Sequence, residues 1–209
     1  MMPTHTCLSH LRNKPQRSAI CHIAMIPPEE KLNRRLRHTD IKMLSHECCG
    51  EAGNELKEKL FSLVVHPSDR VAYNALWVFA TLPAKDIEWL RPKRNRLIDC
   101  LLHTFHPGKR RLIMTLLEHL PPSIADVRTD YLDFCLTRIN SDEPYALRAL
   151  CLKQSFALCR FYPELMTELL DEIELMQYQN LSPGLRCARK NILRRIFALP
   201  SSITSPHHL

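Results

Sequence analysis

Apolar residues recur every three to four positions between residues 29 and 198, and polar stretches that contain proline interrupt them at regular intervals. This spacing places the apolar side chains on one face of an α-helix. The pattern begins at Leu32 and Ile41, and Gly50 and Gly53 stop its first part. The chain is therefore predicted to be all-α, and to open with one or two helices that cap the rest.

Four helical hairpins are predicted next, each with a first helix (A) and a second helix (B). The apolar stripes of the A helices contain Leu56, Leu60, Leu63 and Val64; Leu97, Leu101, Leu102 and Phe105; Leu132, Cys135, Leu136 and Ile139; and Leu165, Leu169, Ile173 and Met176. Those of the B helices contain Val71, Ala75, Phe79 and Leu82; Ile113, Leu116, Leu117 and Leu120; Leu147, Leu150, Cys151, Leu158 and Phe161; and Leu185, Ala188, Ile192 and Ile196. No hairpin can bury its apolar side alone, so each is expected to stack on the next.

A proline marks the predicted start of every B helix. The stretch HPSDRVAYNALWVFATLP at 66–83 has a counterpart, HPGKRRLIMTLLEHLPPS, at 106–123. The four prolines, Pro67, Pro107, Pro144 and Pro183, are 40, 37 and 39 residues apart. Proline at the first position of a helix loses no hydrogen bond, because the N–H there has no partner within the helix. The spacing predicts repeats at about 51–83, 84–123, 124–161 and 162–199.

The turn and the start of each B helix resemble those of HEAT and armadillo repeats. The resemblance rests on HPSDRVAYNAL, EPYALRAL and SPGLRCA, which look like the polar turn, aliphatic-Arg pair and small residues of that class. The second unit departs from the pattern, because Lys109, Arg110 and Arg111 replace the aliphatic-Arg pair. The resemblance implies a right-handed α-α superhelix, one solenoid domain over about residues 27–200. It implies little about activity, since solenoids serve many functions.

Both ends of the chain differ in composition from this region. Residues 1–26 contain Arg12, Lys14 and Arg17 but no acidic residue, and they lack the helical period. They are predicted to form a flexible basic arm, and residues 201–209 a flexible tail. Met25 offers an alternative first residue, which would leave most of the arm outside the native chain.

Glycine, proline and cysteine usage supports the helical prediction. Among 209 residues there are only 4 glycines against 15 prolines, whereas sheet proteins use glycine for hairpin turns. The nine cysteines are odd in number and scattered through apolar helical stretches, as expected of reduced thiols in a cytoplasmic protein. The apolar run at 19–26 is too short to cross a bilayer, so no membrane segment is predicted.

Motifs that would carry chemistry are missing. The SHECCG stretch at 45–50 has no second ligand pair of the kind that zinc sites need, so a helix end with one buried and one exposed thiol is the preferred interpretation. Neither a phosphate-binding glycine loop nor a nucleophile elbow is present. We therefore predict no catalytic residue, no metal, no cofactor and no small-molecule substrate.

Charge is divided unevenly between the two kinds of helix. The net charge of the chain is +7. When Asp and Glu are subtracted from Lys and Arg, the predicted B helices together have a charge of +8 and the predicted A helices a charge of −5. Because B helices usually line the concave face in solenoids of this class, the resemblance implies a basic inner surface. Alternatively, the opposite charges of the last hairpin simply pair with each other or lie solvated. That hairpin carries Glu164, Glu168, Asp171, Glu172 and Glu174 on its A helix and Arg186, Arg189, Lys190, Arg194 and Arg195 on its B helix.

Two functions of different class remain open. The first is a non-enzymatic scaffold that docks an acidic protein or peptide, and its candidate binding residues are Arg110, Arg111, Arg148, Lys153, Arg186, Arg189 and Lys190. The second is a nucleic-acid-binding protein similar to the alkylpurine DNA glycosylases of bacteria, which are also basic HEAT-like solenoids and use groove aromatics and a carboxylate. Its candidates are Tyr73, Trp77 and Trp89 with Asp69 or Asp86, although Trp77 is expected in the core.

Overall fold

The computed structural model describes residues 27–178 and 180–199, so the predicted arm and tail lie outside the described residues. The helices are α1 Pro28–Leu32, α2 His38–Glu47, α3 Asn54–Ser62, α4 Asp69–Thr81, α5 Ala84–Ile87, α6 Arg94–His103, α7 Pro107–His119, α8 Thr129–Ile139, α9 Tyr145–Cys159, α10 Pro163–Leu175 and α11 Pro183–Phe197. Short 3-10 segments occupy Leu63–Val65, Glu88–Lys93, Ile124–Asp126 and Met176–Tyr178. No strand occurs within the described ranges.

The helices stack in chain order as two layers. The A helices are α3, α6, α8 and α10, and the B helices are α4, α7, α9 and α11. The entry helix α2 packs on α4, and successive B helices pack on one another, α4 on α7, α7 on α9 and α9 on α11. Successive A helices contact each other less extensively, so the B side is the more tightly packed side of the stack. The predicted all-α solenoid is confirmed.

The four prolines occupy different positions at the starts of the B helices. Helices α7 and α11 begin at Pro107 and Pro183, as predicted. The other two predicted start positions are wrong, because Pro144 is the N-cap of α9 and α4 begins at Asp69, two residues after Pro67. The backbone of Pro144 is extended, with ψ 138°, which places the first helical turn after it.

A single apolar core runs from Leu32 to Ile196. Free cysteines belong to it, including Cys135, Cys151 and Cys159. Burial raises the pKa of the Cys159 thiol to about 12, so this thiol stays protonated at neutral pH and acts as a small apolar side chain.

The turn between α2 and α3 depends on two glycines. Gly50 has a left-handed backbone with φ 68°, which glycine adopts without steric cost. A Cβ on Gly53 would overlap the main-chain carbonyl carbon and oxygen of Cys48, whereas one on Gly184 in α11 would meet nothing within 4 Å.

We expect Gly53→Ala to lower the free energy of unfolding by about 1–3 kcal/mol, since the overlapping atoms belong to the backbone and cannot rotate away. Gly184→Ala is the matched control and should leave stability unchanged or raise it by up to about 1 kcal/mol. Urea denaturation followed by circular dichroism measures both. Equal stability of the two variants would contradict the close approach of Gly53 to Cys48.

Candidate functional site

The seven predicted binding residues are distributed over several environments rather than one. Arg110 and Arg148 make structural contacts, Lys153 is paired with an acid, and Arg111 is exposed on α7. Arg186, Arg189 and Lys190 lie on α11. The structure therefore does not bring the seven into a single cluster.

Arg110 connects the second and third hairpins. Its guanidinium pairs with Glu143 and its Nε donates to the Thr104 carbonyl at 2.8 Å. It also lies beside the rings of Phe105 and Phe134, with centroids 5.7 and 5.9 Å away. The side chain is half-buried in these contacts, so its charge is largely engaged within the chain.

Arg148 is even more enclosed. Its side chain is buried, with the residue only 6% exposed, and its Nε donates to the Ile139 carbonyl at 2.7 Å, at the end of α8. A cation at the carbonyl end of a helix satisfies a main-chain acceptor and the helix dipole together. Its main contribution is thus to hold α8 against α9.

The cations of α11 are not neutralised by the acids of α10. Arg186 Nη2 donates to the Leu181 carbonyl at 3.0 Å, and Arg189 Nε donates to the Ile173 carbonyl at 3.0 Å. Over the described ranges, no ion pair joins α10 to α11. On α10, Glu172 instead accepts from Asn140 of the third hairpin at 2.6 Å. Among the described residues the charges of these two helices are therefore not paired with each other, and the acids Glu164, Glu168, Asp171 and Glu174 are exposed to solvent.

A groove on the B side lies between the end of α7, α9 and α11, and we call it the B-helix groove. It has a volume of about 720 Å³. Its lining residues are Glu118, Pro121, Pro122, Lys153, Gln154, Ala157, Arg160, Ala188, Asn191, Ile192, Arg194, Arg195 and Ala198. Lys153 is the one predicted binding residue among them, so sequence reasoning missed most of this surface.

Four cations and one acid line the B-helix groove. Lys153 Nζ forms an ion pair with Glu118 at 2.7 Å. The other three cations are Arg160, Arg194 and Arg195. Arg160 lies 3.5 Å from the Pro122 carbonyl and 4.8 Å from the Phe161 ring centroid, and Arg195 lies 4.4 Å from that of Phe156.

These contacts neutralise no charge, because carbonyls and rings carry none. Among the residues that the structure describes, Arg160, Arg194 and Arg195 have no acidic partner. The groove therefore has a surplus of positive charge that favours an anion.

One residue that lines the groove, Gln154, has a side-chain oxygen without a hydrogen-bond partner among the described residues. Gln154 is only 3% exposed, and its Oε1 is buried and receives no hydrogen bond in the described part of the chain. Helical spacing does place Gln154 beside Lys153 and Ala157, but nothing in the sequence marks it as unpaired.

A second basic surface lies on the other side of α11. A groove of about 670 Å³ is lined there by Pro183, Arg186, Cys187, Arg189, Lys190, Leu193, Arg194 and Phe197. Phe197 is largely exposed. Three predicted binding residues, Arg186, Arg189 and Lys190, belong to this outer side, so α11 contributes cations to both grooves.

The residues named for the glycosylase-like alternative lie at separate places. Asp69 is paired with Lys109 at 2.6 Å, and that hydrogen bond lowers the pKa of the Asp69 carboxyl. Asp86 is buried and accepts from the Gly50 N–H at 2.7 Å. Trp89 stacks on Phe79 with centroids 6.0 Å apart. Neither aspartate lines the B-helix groove.

The aromatic residues of α4 form a small cluster of their own. Trp77 is half-buried rather than enclosed in the core as predicted, and its ring lies 6.1 Å from Tyr73 and 6.2 Å from His38. Tyr73 and Trp77 lie on the first B helix and His38 on α2, and all three rings are outside the lining of the B-helix groove.

The described residues contain neither a helix that could span a membrane nor a cluster of metal-binding side chains. No helix there is long and apolar enough to cross a membrane. Within the same ranges, no group of three or more His, Cys, Asp or Glu side chains has a geometry that could hold a metal ion.

Comparison with known proteins identifies the repeat class. None of the curated proteins compared with the chain matches it. A family model described as a HEAT repeat domain matches residues 28–196, a range that starts at α1 and ends within α11. The chain belongs to the HEAT repeat family.

Proposed function

We propose that the chain is a non-enzymatic interaction scaffold that binds an acidic protein segment in the B-helix groove. HEAT repeats generally mediate protein interactions, and the family is typically non-enzymatic. The observation that carries the proposal is the surplus of positive charge at Arg160, Arg194 and Arg195 in a groove that one acid, Glu118, lines. An acidic segment would remove the mutual repulsion of these side chains.

The packing of the helices also supports the B side as the binding surface. Successive B helices pack more closely than successive A helices, which curves a solenoid toward its B side and makes that side suited to an extended partner. Charge on this side increases toward α11, where Arg194 and Arg195 line the groove. The exposed Arg111 of α7 belongs to the same layer of helices.

Reversal of two charges tests the proposal. We expect Arg194→Glu combined with Arg195→Glu to weaken the binding of a fluorescein-labelled, glutamate-rich peptide by about tenfold or more, because attraction becomes repulsion. Fluorescence anisotropy at low salt measures the affinity, and circular dichroism checks that the variant is folded.

The matched control reverses Arg35 and Lys42, two exposed cations near the other end of the stack. Arg35→Glu with Lys42→Glu changes the net charge by the same amount and should alter the affinity by less than about twofold. Equal losses in both double variants would mean that only net charge matters. Tighter binding of duplex DNA than of the peptide, falling steeply with salt, would instead favour the nucleic-acid alternative.

A further inference from the structure

The outer side of α11 carries a stripe that changes from basic to apolar along the helix. Arg186, Lys190, Leu193 and Phe197 are spaced i, i+4, i+7 and i+11, so they lie on one face, and all four line the groove of about 670 Å³. Phe197 is 74% exposed. Neither cation has an acidic partner among the described residues. An exposed ring beside unpaired cations is suited to a partner that is acidic at one end and apolar at the other.

The exposed face of α10 has that complementary pattern. Glu164, Glu168, Asp171 and Leu175 repeat the same spacing, and all four are exposed. In the part of the chain that the structure describes, none of these acids has a basic partner. Each position lies 22 residues before its counterpart on α11. The two stripes therefore have the same length and the same order, acids against cations and Leu175 against Phe197.

The two stripes do not meet within one chain. Helix α11 packs mainly on α9, whereas α10 packs on α9 and α8. Both stripes lie on sides of these helices that stay exposed. A second copy of the chain can bring them together by placing its α10 parallel to α11.

This parallel alignment sets opposite charges against each other at one end and apolar side chains at the other. The matched pairs are Arg186 with Glu164, Lys190 with Glu168, and Phe197 with Leu175. Leu193 faces Asp171 and is the unmatched position of the four. Two α11 stripes in the same parallel alignment would instead oppose cation to cation, which is unfavourable.

We propose that the outer side of α11 binds α10 of a second copy of this chain, with the two helices parallel. The contact joins two different surfaces, so each copy offers one of each and further copies can add to either end. The inference does not rest on the proposed function, because neither Arg186 nor Lys190 lines the B-helix groove. It gives these two predicted binding residues an acidic helix of the same protein as their partner.

The size of the contact sets the expected affinity. A stripe of this spacing spans about 17 Å of helix, which places the contact at the small end of specific interfaces. We expect a dissociation constant of about 10–100 μM. In sedimentation-velocity runs on the wild-type chain, the average mass should increase with concentration between about 5 and 200 μM, and increase less in about 0.5 M NaCl because salt screens the charged pairs.

Charge reversal on either stripe should raise the dissociation constant at least about tenfold. One variant combines Glu164→Lys with Glu168→Lys, and the other combines Arg186→Glu with Lys190→Glu. Because all four side chains are exposed, both variants should keep the wild-type circular dichroism spectrum. An equimolar mixture of the two should associate again, since the intact α11 stripe of the first meets the intact α10 stripe of the second.

Matched controls separate the stripes from general effects of charge and exposed rings. Glu30→Lys with Glu47→Lys reverses two exposed acids near the other end of the stack and should alter the dissociation constant by less than about twofold. Phe197→Ala should weaken the association about tenfold, whereas Phe105→Ala, which also removes an exposed ring, should leave it unchanged.

The outcomes decide the inference independently of the peptide bound in the B-helix groove. A wild-type chain that stays monomeric up to about 200 μM at low salt would overturn self-association while leaving the scaffold proposal intact. Loss in the Arg186 and Lys190 variant but not in the Glu164 and Glu168 variant would mean that α11 meets another surface, and the inference fails. It also fails if the mixed variants do not associate, or if the control pair of acids costs as much as the α10 pair.

Discussion

Asp86→Ala is expected to lower the free energy of unfolding by about 3–5 kcal/mol. Asp86 Oδ1 accepts from the Gly50 N–H at 2.7 Å and lies 3.6 Å from the ammonium of Lys57, which is only 2% exposed. Removal of the carboxylate leaves a buried cation without a counter-charge among the described residues; the neutral Gly50 carbonyl and Asn54 Oδ1, each 3.1 Å away, still accept its hydrogen bonds. Urea denaturation at neutral pH, followed by circular dichroism, measures the loss.

A second variant shows whether the buried charge causes the loss. Lys57→Met together with Asp86→Ala removes both ions and should be more stable than Asp86→Ala alone, because no cation remains unpaired in the core. If the loss of unfolding free energy in the double variant equalled the sum of the losses in Lys57→Met and Asp86→Ala, the two side chains would not be coupled.

The same pair predicts a dependence on pH. The Gly50 N–H, with a further contribution from Lys57, lowers the pKa of Asp86 below its usual value of 3.8. The unfolded chain therefore binds this proton more readily than the folded chain does. The stabilisation is complete above about pH 3.8 and is lost as the pH falls through the lower folded value, so the gap in stability between wild type and Asp86→Ala should narrow in that acid range.

Phe79→Ala is expected to cost about 3–5 kcal/mol, through lost apolar burial and the cavity left behind. Phe79 is fully buried in α4, stacked on Trp89 and in edge contact with Phe61 at 6.1 Å. These three rings connect α3, α4 and the segment that leads to α6. Thermal unfolding should show a lower melting temperature, with the transition still cooperative if the stack unfolds as one unit.

Phe105 provides the matched control for the ring deletion. It is 87% exposed in the turn before α7, so Phe105→Ala should change stability by less than about 0.5 kcal/mol. A comparable loss in the two variants would mean that ring removal acts through the unfolded chain rather than through packing.

The candidate site was harder to predict than the fold, and Arg110 and Arg148 show why. Both are cations of B helices, so sequence reasoning assigned them to a binding surface. The partner of Arg110 is 33 residues away in Glu143, and that of Arg148 is a carbonyl nine residues earlier. Helical spacing indicates which side of a helix is polar, but it does not reveal which polar side is covered by a neighbouring hairpin.

Arg194 and Arg195 are not among the predicted binding residues, although Arg186, Arg189 and Lys190 of the same helix are. In the folded chain, α11 packs mainly on α9, and both arginines line the B-helix groove without an acidic partner among the described residues.

The sequence alone determined that this protein is an all-α stack of hairpins, since the apolar period and the spaced prolines are local features that each helix expresses by itself. The tertiary structure alone decided which cations are structural, which have no acidic partner among the described residues, and that Gln154 lines a groove. The physical reason is that ion pairing and desolvation depend on distances between residues far apart in the chain, and those distances are set only when the hairpins pack together.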